Sequence, residues 1–209
     1  MCNFLRIIKS HVVLFIMQSL FYNWLLKKII PFIRIQFYYT TMRGWKYKHA
    51  YVLLNPGDII VSKDKYKLTT YLIPGEFAHA ALCVDKNMSG LCPFEIAEMT
   101  HLGFTKSTFY DVFREATRIV ILRCRNWDHK YIDKVISNCE FFEGVPYDNT
   151  FELGIKALYC SELIYEADVE HRLQVSLEDL MGLGRPYISP IGLLHAKNVD
   201  IIYDSKMEK

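Results

Sequence analysis

The sequence predicts an α+β fold, a mostly antiparallel sheet carrying helices on one side. Three observations predict it. Strand-like runs crowd the stretch from Ile59 to Cys124, and a single one returns near the end of the chain. Between them lie a long segment with helical periodicity and a shorter apolar helix. No glycine-rich phosphate loop and no dinucleotide fingerprint occurs, so the nucleotide-binding α/β classes marked by those motifs are set aside.

The elements follow in order. Asn55-Pro56-Gly57-Asp58 is a turn signal, and "DIIVS" behind it is a short strand. "IPGE", from Ile73 to Glu76, is a second turn and opens the small-residue strand "FAHAALCVD". "DKNMSG" reads as a loop and "CPFEIAEMT" as the next strand. Residues 107–113, "STFYDVF", predict a short helix, and the β-branched "RIVILRC" (Arg118 to Cys124) a buried strand. From Trp127 to Phe142, Ile132, Val135, Ile136 and Cys139 recur at i, i+3, i+4 and i+7, the signature of a helix with one buried face. Gly144 ends it before "VPYD". "YCSELIYEA", Tyr159 to Ala167, predicts a second helix with Leu163, Ile164 and Ala167 on one side. A Gly/Pro-rich stretch at 182–190 precedes the last strand, "VDIIYD".

Of the 209 residues, 51% are hydrophobic and 23% charged, a balance that suits a folded chain and excludes a disordered one. The mean hydropathy of +0.07 is high for a soluble protein, and the excess lies at one end. Residues 1–57 hold eight of the 25 basic residues and none of the 23 acidic ones, leaving 17 basic against 23 acidic in the remainder. From Ser10 to Leu26 the chain runs seventeen residues without a charge, somewhat short of the ~20 apolar residues of a bilayer span. Lys27-Lys28 and the aromatic "IIPFIRIQFYY" follow, and rings beside lysines suit a membrane interface. We therefore read residues 1–45 as an apolar, basic leader and residues 46–209 as the working domain. The expected partner of residues 1–40 is a membrane surface, and the competing reading is a helix packed on the domain. Nucleic acid is not an expected partner, because a continuous apolar run fits lipid better than bases.

The six cysteines are scattered, with no CxxC pair and no short spacing to histidine, so neither a zinc site nor any other metal or cofactor is expected. Reduced thiols in a cytoplasm-facing compartment, on a membrane-associated protein, are the simplest reading.

Cys160 stands apart from the other thiols. It falls in the first turn of its helix, where unpaired N–H groups and a partial positive charge favour thiolate over thiol. A thiolate nucleophile needs a base. His79 lies among Ala78, Ala80 and Ala81, and strand alternation puts it on one face with Ala81 and Cys83, which would leave room beside the imidazole. By itself, a strand histidine is more often a hydrogen-bonded structural residue. Glu98 on the next strand is within reach to orient the ring, with Glu95 and His101 as competitors. Parity separates Glu95 from Glu98, so at most one of them points at His79.

"LNPGDIIVS", "GEFAHAALCV", "FEIAEM", "VPYDNTF" and "YCSELIYEA" occur in that order. Together they resemble the circularly permuted papain-like cysteine hydrolases of the NlpC superfamily, of the YaeF/YiiX type and its poxviral relatives. The resemblance spans roughly residues 50 to 203. It implies a permuted papain-like fold in which the sheet carries the histidine and a helix presents the nucleophile. It further implies Cys160 as nucleophile, His79 as base, Glu98 as the group orienting it, and Tyr147 as a tyrosine that helps hold the oxyanion. A buried structural role for Tyr147 stays open. "NCEFF", Asn138 to Phe142, resembles the nucleophile motif of lecithin–retinol acyltransferases, but Phe141 stands where that motif has histidine. Cys139 is therefore read as core.

The chemistry these residues imply is acyl transfer. An amidase or peptidase splitting an amide near a membrane is the leading reading. A lipid acyltransferase or acyl-hydrolase is the alternative, with an ester or lipid-linked amide as substrate. A binding protein that keeps the fold without activity is the third, and the intact set of Cys160, His79 and Glu98 argues against it.

Overall fold

The computed structural model describes residues 44–63, 75–86 and 94–207, with Ser19, Trp24, Leu25, Lys28 and Ile29. Most of the leader at 1–45, the loop at 85–90 after Lys86, and part of the Ile73–Glu76 turn lie outside the described residues. Among the described residues, no helix is long and apolar enough to cross a membrane.

The described domain opens with helix α1 (Gly44–Leu53), then β1 (Ile59–Lys63), β2 (His79–Lys86), β3 (Phe94–Thr100) and β4 (Gly103–Thr108). Helix α2 (Phe109–Glu115), strand β5 (Arg118–Cys124), helix α3 (His129–Glu140) and helix α4 (Cys160–Ala167) come next. A small ribbon of β6 (Glu178–Asp179) and β7 (Pro186–Tyr187), helix α5 (Pro190–Leu194) and strand β8 (Val199–Asp204) finish the domain. The main sheet runs β4-β3-β2-β1-β5-β8, and each neighbouring pair is antiparallel.

Strand alternation splits the core in two. Ile59, Val61, Ala80, Leu82, Ala97 and Met99 pack with α3 and α4. Ile60, Ala81, Cys83, Ile96, Ile119 and Ile121 pack with α1 and α2. Helices thus flank both faces, where the sequence led us to expect one. The second face was hidden because α1 has no clear apolar stripe. Its tyrosines do the packing, Tyr47 against Phe109 at 5.5 Å and Phe113 at 5.2 Å, and Tyr51 against Phe94 at 4.9 Å.

The predicted helix at 107–113 is displaced. Residues 103–108 form the edge strand β4, whose polar sequence "GFTKST" carries little strand signal. Thr108 ends that strand and caps α2, its hydroxyl accepting from the Asp111 N–H at 3.2 Å. The predicted helix at 127–142 is present but shorter, opened by Asp128, whose carboxylate accepts from the Tyr131 N–H at 3.0 Å. Tyr131, Val135 and Cys139 are its buried residues, and Ile132 and Ile136 pack partly buried beside them.

Two glycines are required by geometry. Gly57 has φ +85°, and a Cβ there would lie 2.8 Å from Ile132 Cγ2. Its turn is fastened by Asp58, which accepts from the Asn55 N–H at 2.8 Å and pairs with both Arg123 Nε and Nη2 at 2.7 Å. Gly103 has φ +97°, and a Cβ there would come within 2.6 Å of the Val145 carbonyl oxygen. The β3–β4 turn is thereby seated against the segment that leads into Tyr147.

Candidate active site

Cys160 is the first residue of α4, and Tyr159, in extended conformation, is its N-cap. The local sequence explains why the helix starts here. Glu162, two residues beyond Cys160, turns back so that its Oε2 accepts from the Tyr159 N–H at 3.3 Å, half of a capping box. Its Oε1 accepts from the Gly154 N–H at 2.7 Å and ties the preceding loop to the helix. Burial raises the Glu162 pKa to about 8, against the lowering effect of those two N–H groups. The Tyr159 hydroxyl accepts from the Ile188 N–H at 2.9 Å, and the Ser161 hydroxyl donates to the Ile188 carbonyl at 2.7 Å. The Gly/Pro-rich stretch thus forms one wall beside the helix start. Leu163, Ile164 and Ala167 are fully buried on the sheet side, as their spacing predicts.

His79 opens β2, at the end where the chain enters the sheet. Its Nε2 lies 2.6 Å from Glu98 Oε2, and Cys160 is near enough to act on the same ring. Burial disfavours a charged imidazole, but the hydrogen bonds to Cys160 and Glu98 and the charges of both outweigh it. The His79 pKa is raised to about 10. The ring keeps 28% of its side-chain surface exposed, Glu98 only 12%. Cys160 itself is buried, 2% exposed.

The three residues are therefore together, and the competitors are elsewhere. Glu95 pairs with Lys106 at 3.4 Å, and His101 sits in the β3–β4 turn. The alanines around His79 do not open the space expected of them. Ala80 and Ala81 are fully buried, and Ala80 shares its core with Cys160, Leu163 and Ala167. Their small size instead lets α4 lie close on the sheet.

Tyr147 reaches the site by a backbone device. It forms an isolated parallel bridge with Leu158, fastened by the Leu158 N–H to the Pro146 carbonyl at 3.1 Å and the Asp148 N–H to the Leu158 carbonyl at 2.9 Å. Burial, and then the charges of Cys160, Asp148 and Tyr159, hold its phenol well above the ordinary range, so it remains a donor. Asp148 braces the same loop by accepting from the Thr150 N–H at 2.7 Å and the Glu152 N–H at 2.6 Å. Cys139 is fully buried in α3. Burial, and secondarily the charge of Glu140, push its thiol up to about 12. The decoy cysteine is core.

Sequence reasoning missed Ser107, whose hydroxyl donates to Glu98 Oε1 at 2.6 Å. The sequence predicts a helix from Ser107 onward, and no register then links it to Glu98.

Among the described residues no group of three or more His, Cys, Asp or Glu is placed to hold a metal ion. The arrangement present is a thiol at a helix start, an imidazole and a carboxylate, with Tyr147 packed against the same core. That is the equipment of acyl transfer through a thioester.

Comparison with known proteins bears on the same chemistry. A family model described as permuted papain-like amidase enzyme, YaeF/YiiX, C92 family, matches residues 53–189. Among solved structures, the chain is similar to the crystal structure of metalloprotein yiiX from Escherichia coli O157:H7, with a TM-score of 0.61. The identity is 15%, over 72% of this chain and 97% of that one, so this likeness speaks for the fold. No curated protein matches the chain. Because the family model spans well over half of the sequence, the chain belongs to the permuted papain-like amidases of the YaeF/YiiX type and is a cysteine hydrolase.

Proposed function

We propose that the protein is an amidase or peptidase in which Cys160 is the nucleophile, His79 the proton carrier and Glu98 the group that orients it. The observation that carries this reading is the contact of His79 Nε2 with Glu98 Oε2 at 2.6 Å, on a ring that also interacts with Cys160. The Cys160 sulfur attacks the amide carbonyl carbon, forming an S–C bond and a tetrahedral oxyanion. We assign the N–H groups of the α4 start and the Tyr147 hydroxyl as the donors to that oxyanion. The C–N bond then breaks as His79 gives its proton to the departing amine. A water, deprotonated by His79, attacks the thioester, and the acid product leaves as the thiolate is restored.

The leader supports action near a membrane, since its basic and apolar residues suit an anionic lipid surface. The same feature keeps a lipid acyltransferase or acyl-hydrolase as the second reading, the first distinguished by its acyl acceptor and the other by a lipid acyl substrate. The test is an activity-based thiol probe followed by mass spectrometry of the labelled residue and of any trapped acyl group. Labelling at Cys160, with an acyl fragment that water releases, is the expected result. Transfer of that fragment to an alcohol or amine would favour the second reading, and labelling elsewhere would overturn both.

A further inference from the structure

Four side chains, not three, stand in series at the site. The Ser107 hydroxyl donates to Glu98 Oε1 at 2.6 Å, while Glu98 Oε2 lies 2.6 Å from His79. The two carboxylate oxygens thus have separate duties. Sheet register makes this possible. Glu98 faces Thr105 directly, and Ser107 faces Ile96, one diagonal step away on the same face. Thr105 is otherwise engaged, its hydroxyl 3.0 Å from that of Thr100 and donating to the Gly103 carbonyl at 3.2 Å.

The position of Ser107 is also held firmly for an edge strand. Its neighbour Thr108 caps α2. Its other neighbour, Lys106, pairs with Glu140 at 2.6 Å and with Glu95 at 3.4 Å, tying β4 to α3 and β3. A carboxylate only 12% exposed has lost most of its water and depends on such donors for its orientation.

We infer that Ser107 is a positioning residue, which fixes the Glu98 carboxylate so that its second oxygen meets His79. The inference rests on the proposed roles of Cys160, His79 and Glu98. Ser107 touches neither the thiol nor the scissile bond, and its influence passes through Glu98.

The test reads His79 directly, by NMR titration of its ring in the full chain. The unaltered protein should lose the imidazole proton with a midpoint at about 10. Ser107→Ala and Ser107→Val should lower that midpoint by roughly half to one pH unit, because a loosened carboxylate supports the imidazolium less well. Ser107→Thr should restore it, since threonine keeps the hydroxyl and suits a strand. Threonine and valine share a shape, so the pair separates loss of the hydroxyl from disturbed packing even if the alanine variant folds poorly. An unchanged midpoint in Ser107→Val, or one that falls equally in Ser107→Thr, overturns the inference. Cys160→Ala, measured alongside, should lower the midpoint as well. If it does and Ser107→Val does not, only the role of Ser107 falls. If it does not, the His79–Cys160 pair falls, and the proposed function with it.

Discussion

Glu98 Oε2 meets His79 Nε2 at 2.6 Å although the sheet register sets Glu98 opposite Ala81, not opposite His79. The contact is therefore diagonal, across strands whose diagonal neighbours stand roughly 7–8 Å apart, and it needs the full length of a glutamate. Glu98→Asp keeps the charge but not the reach. It should lower the rate of Cys160 modification by a thiol probe about tenfold, as far as Glu98→Gln does. An aspartate variant that reacts like the unaltered protein would mean that charge alone matters at this position.

Reactivity should single out one thiol. Cys160 interacts with the His79 imidazole, whereas burial raises the pKa of Cys124 and pushes Cys139 up to about 12. Iodoacetamide at neutral pH should label Cys160 at least about tenfold faster than Cys83, Cys124 or Cys139, as peptide mass spectrometry would show. Cys160→Ala should abolish turnover and leave the circular dichroism spectrum intact, because alanine suits a helix. Equal labelling of the four would count against the nucleophile.

Stability should fall as pH rises from mildly acidic to alkaline. His79 and Glu162 both have folded-state pKa values above their reference values, at about 10 against 6.5 and about 8 against 4.5. A group raised in this way contributes stability that is complete below its unfolded value and is lost as pH climbs through the folded one. Glu162 therefore acts between pH 4.5 and about 8, and His79 between 6.5 and about 10. Thermal melts should show a higher midpoint near the acidic ends of those windows than at their alkaline ends. Glu162→Gln, which stays neutral, should flatten the lower part of the slope.

Beyond the last turn of α4, the Tyr131 hydroxyl donates to Asp168 at 2.5 Å and accepts from the Glu170 N–H at 3.1 Å. Asp168 also accepts from the Leu173 N–H at 2.7 Å. Tyr131→Phe removes one donor from a buried carboxylate and strands an N–H. It should cost roughly 1–3 kcal/mol in a denaturant titration, without altering thiol reactivity in the folded protein. A neutral substitution would show that water replaces the hydroxyl.

The leader should decide where the protein works. A chain beginning near Gly44 should be soluble and keep its reactive Cys160, while the full chain partitions to anionic vesicles. Each lysine or arginine near such a surface adds on the order of 1 kcal/mol. High salt should release an interfacial helix in part and leave a spanning one in place. A full chain that stays in solution, together with a shortened chain that unfolds, would make the segment part of the core.

Local chemistry made some of this readable from residues alone. β5 coincides with the predicted "RIVILRC" and β8 with "VDIIYD", because their bulky apolar residues favour strands whatever surrounds them. Helix α4 starts at Cys160 as expected, since the features that open it lie within a few residues of each other. The order of motifs singles out Cys160, His79 and Glu98 among six cysteines, seven histidines and 23 acidic residues, and the fold brings His79 and Glu98 into contact.

Other features depend on contacts between distant segments, and no local pattern encodes them. Edge strand β4 is polar and became a strand only by pairing with β3, which in turn set Ser107 beside Glu98. Helix α1 lacks an apolar stripe and is held by its tyrosines against α2 and β3. Tyr147 is drawn to the start of α4 because two backbone hydrogen bonds join its segment to Leu158, two residues before Cys160. Periodicity records which face of a segment is buried. The register between segments, and so which side chain meets which, is settled only when the hydrogen bonds of the sheet and loops close.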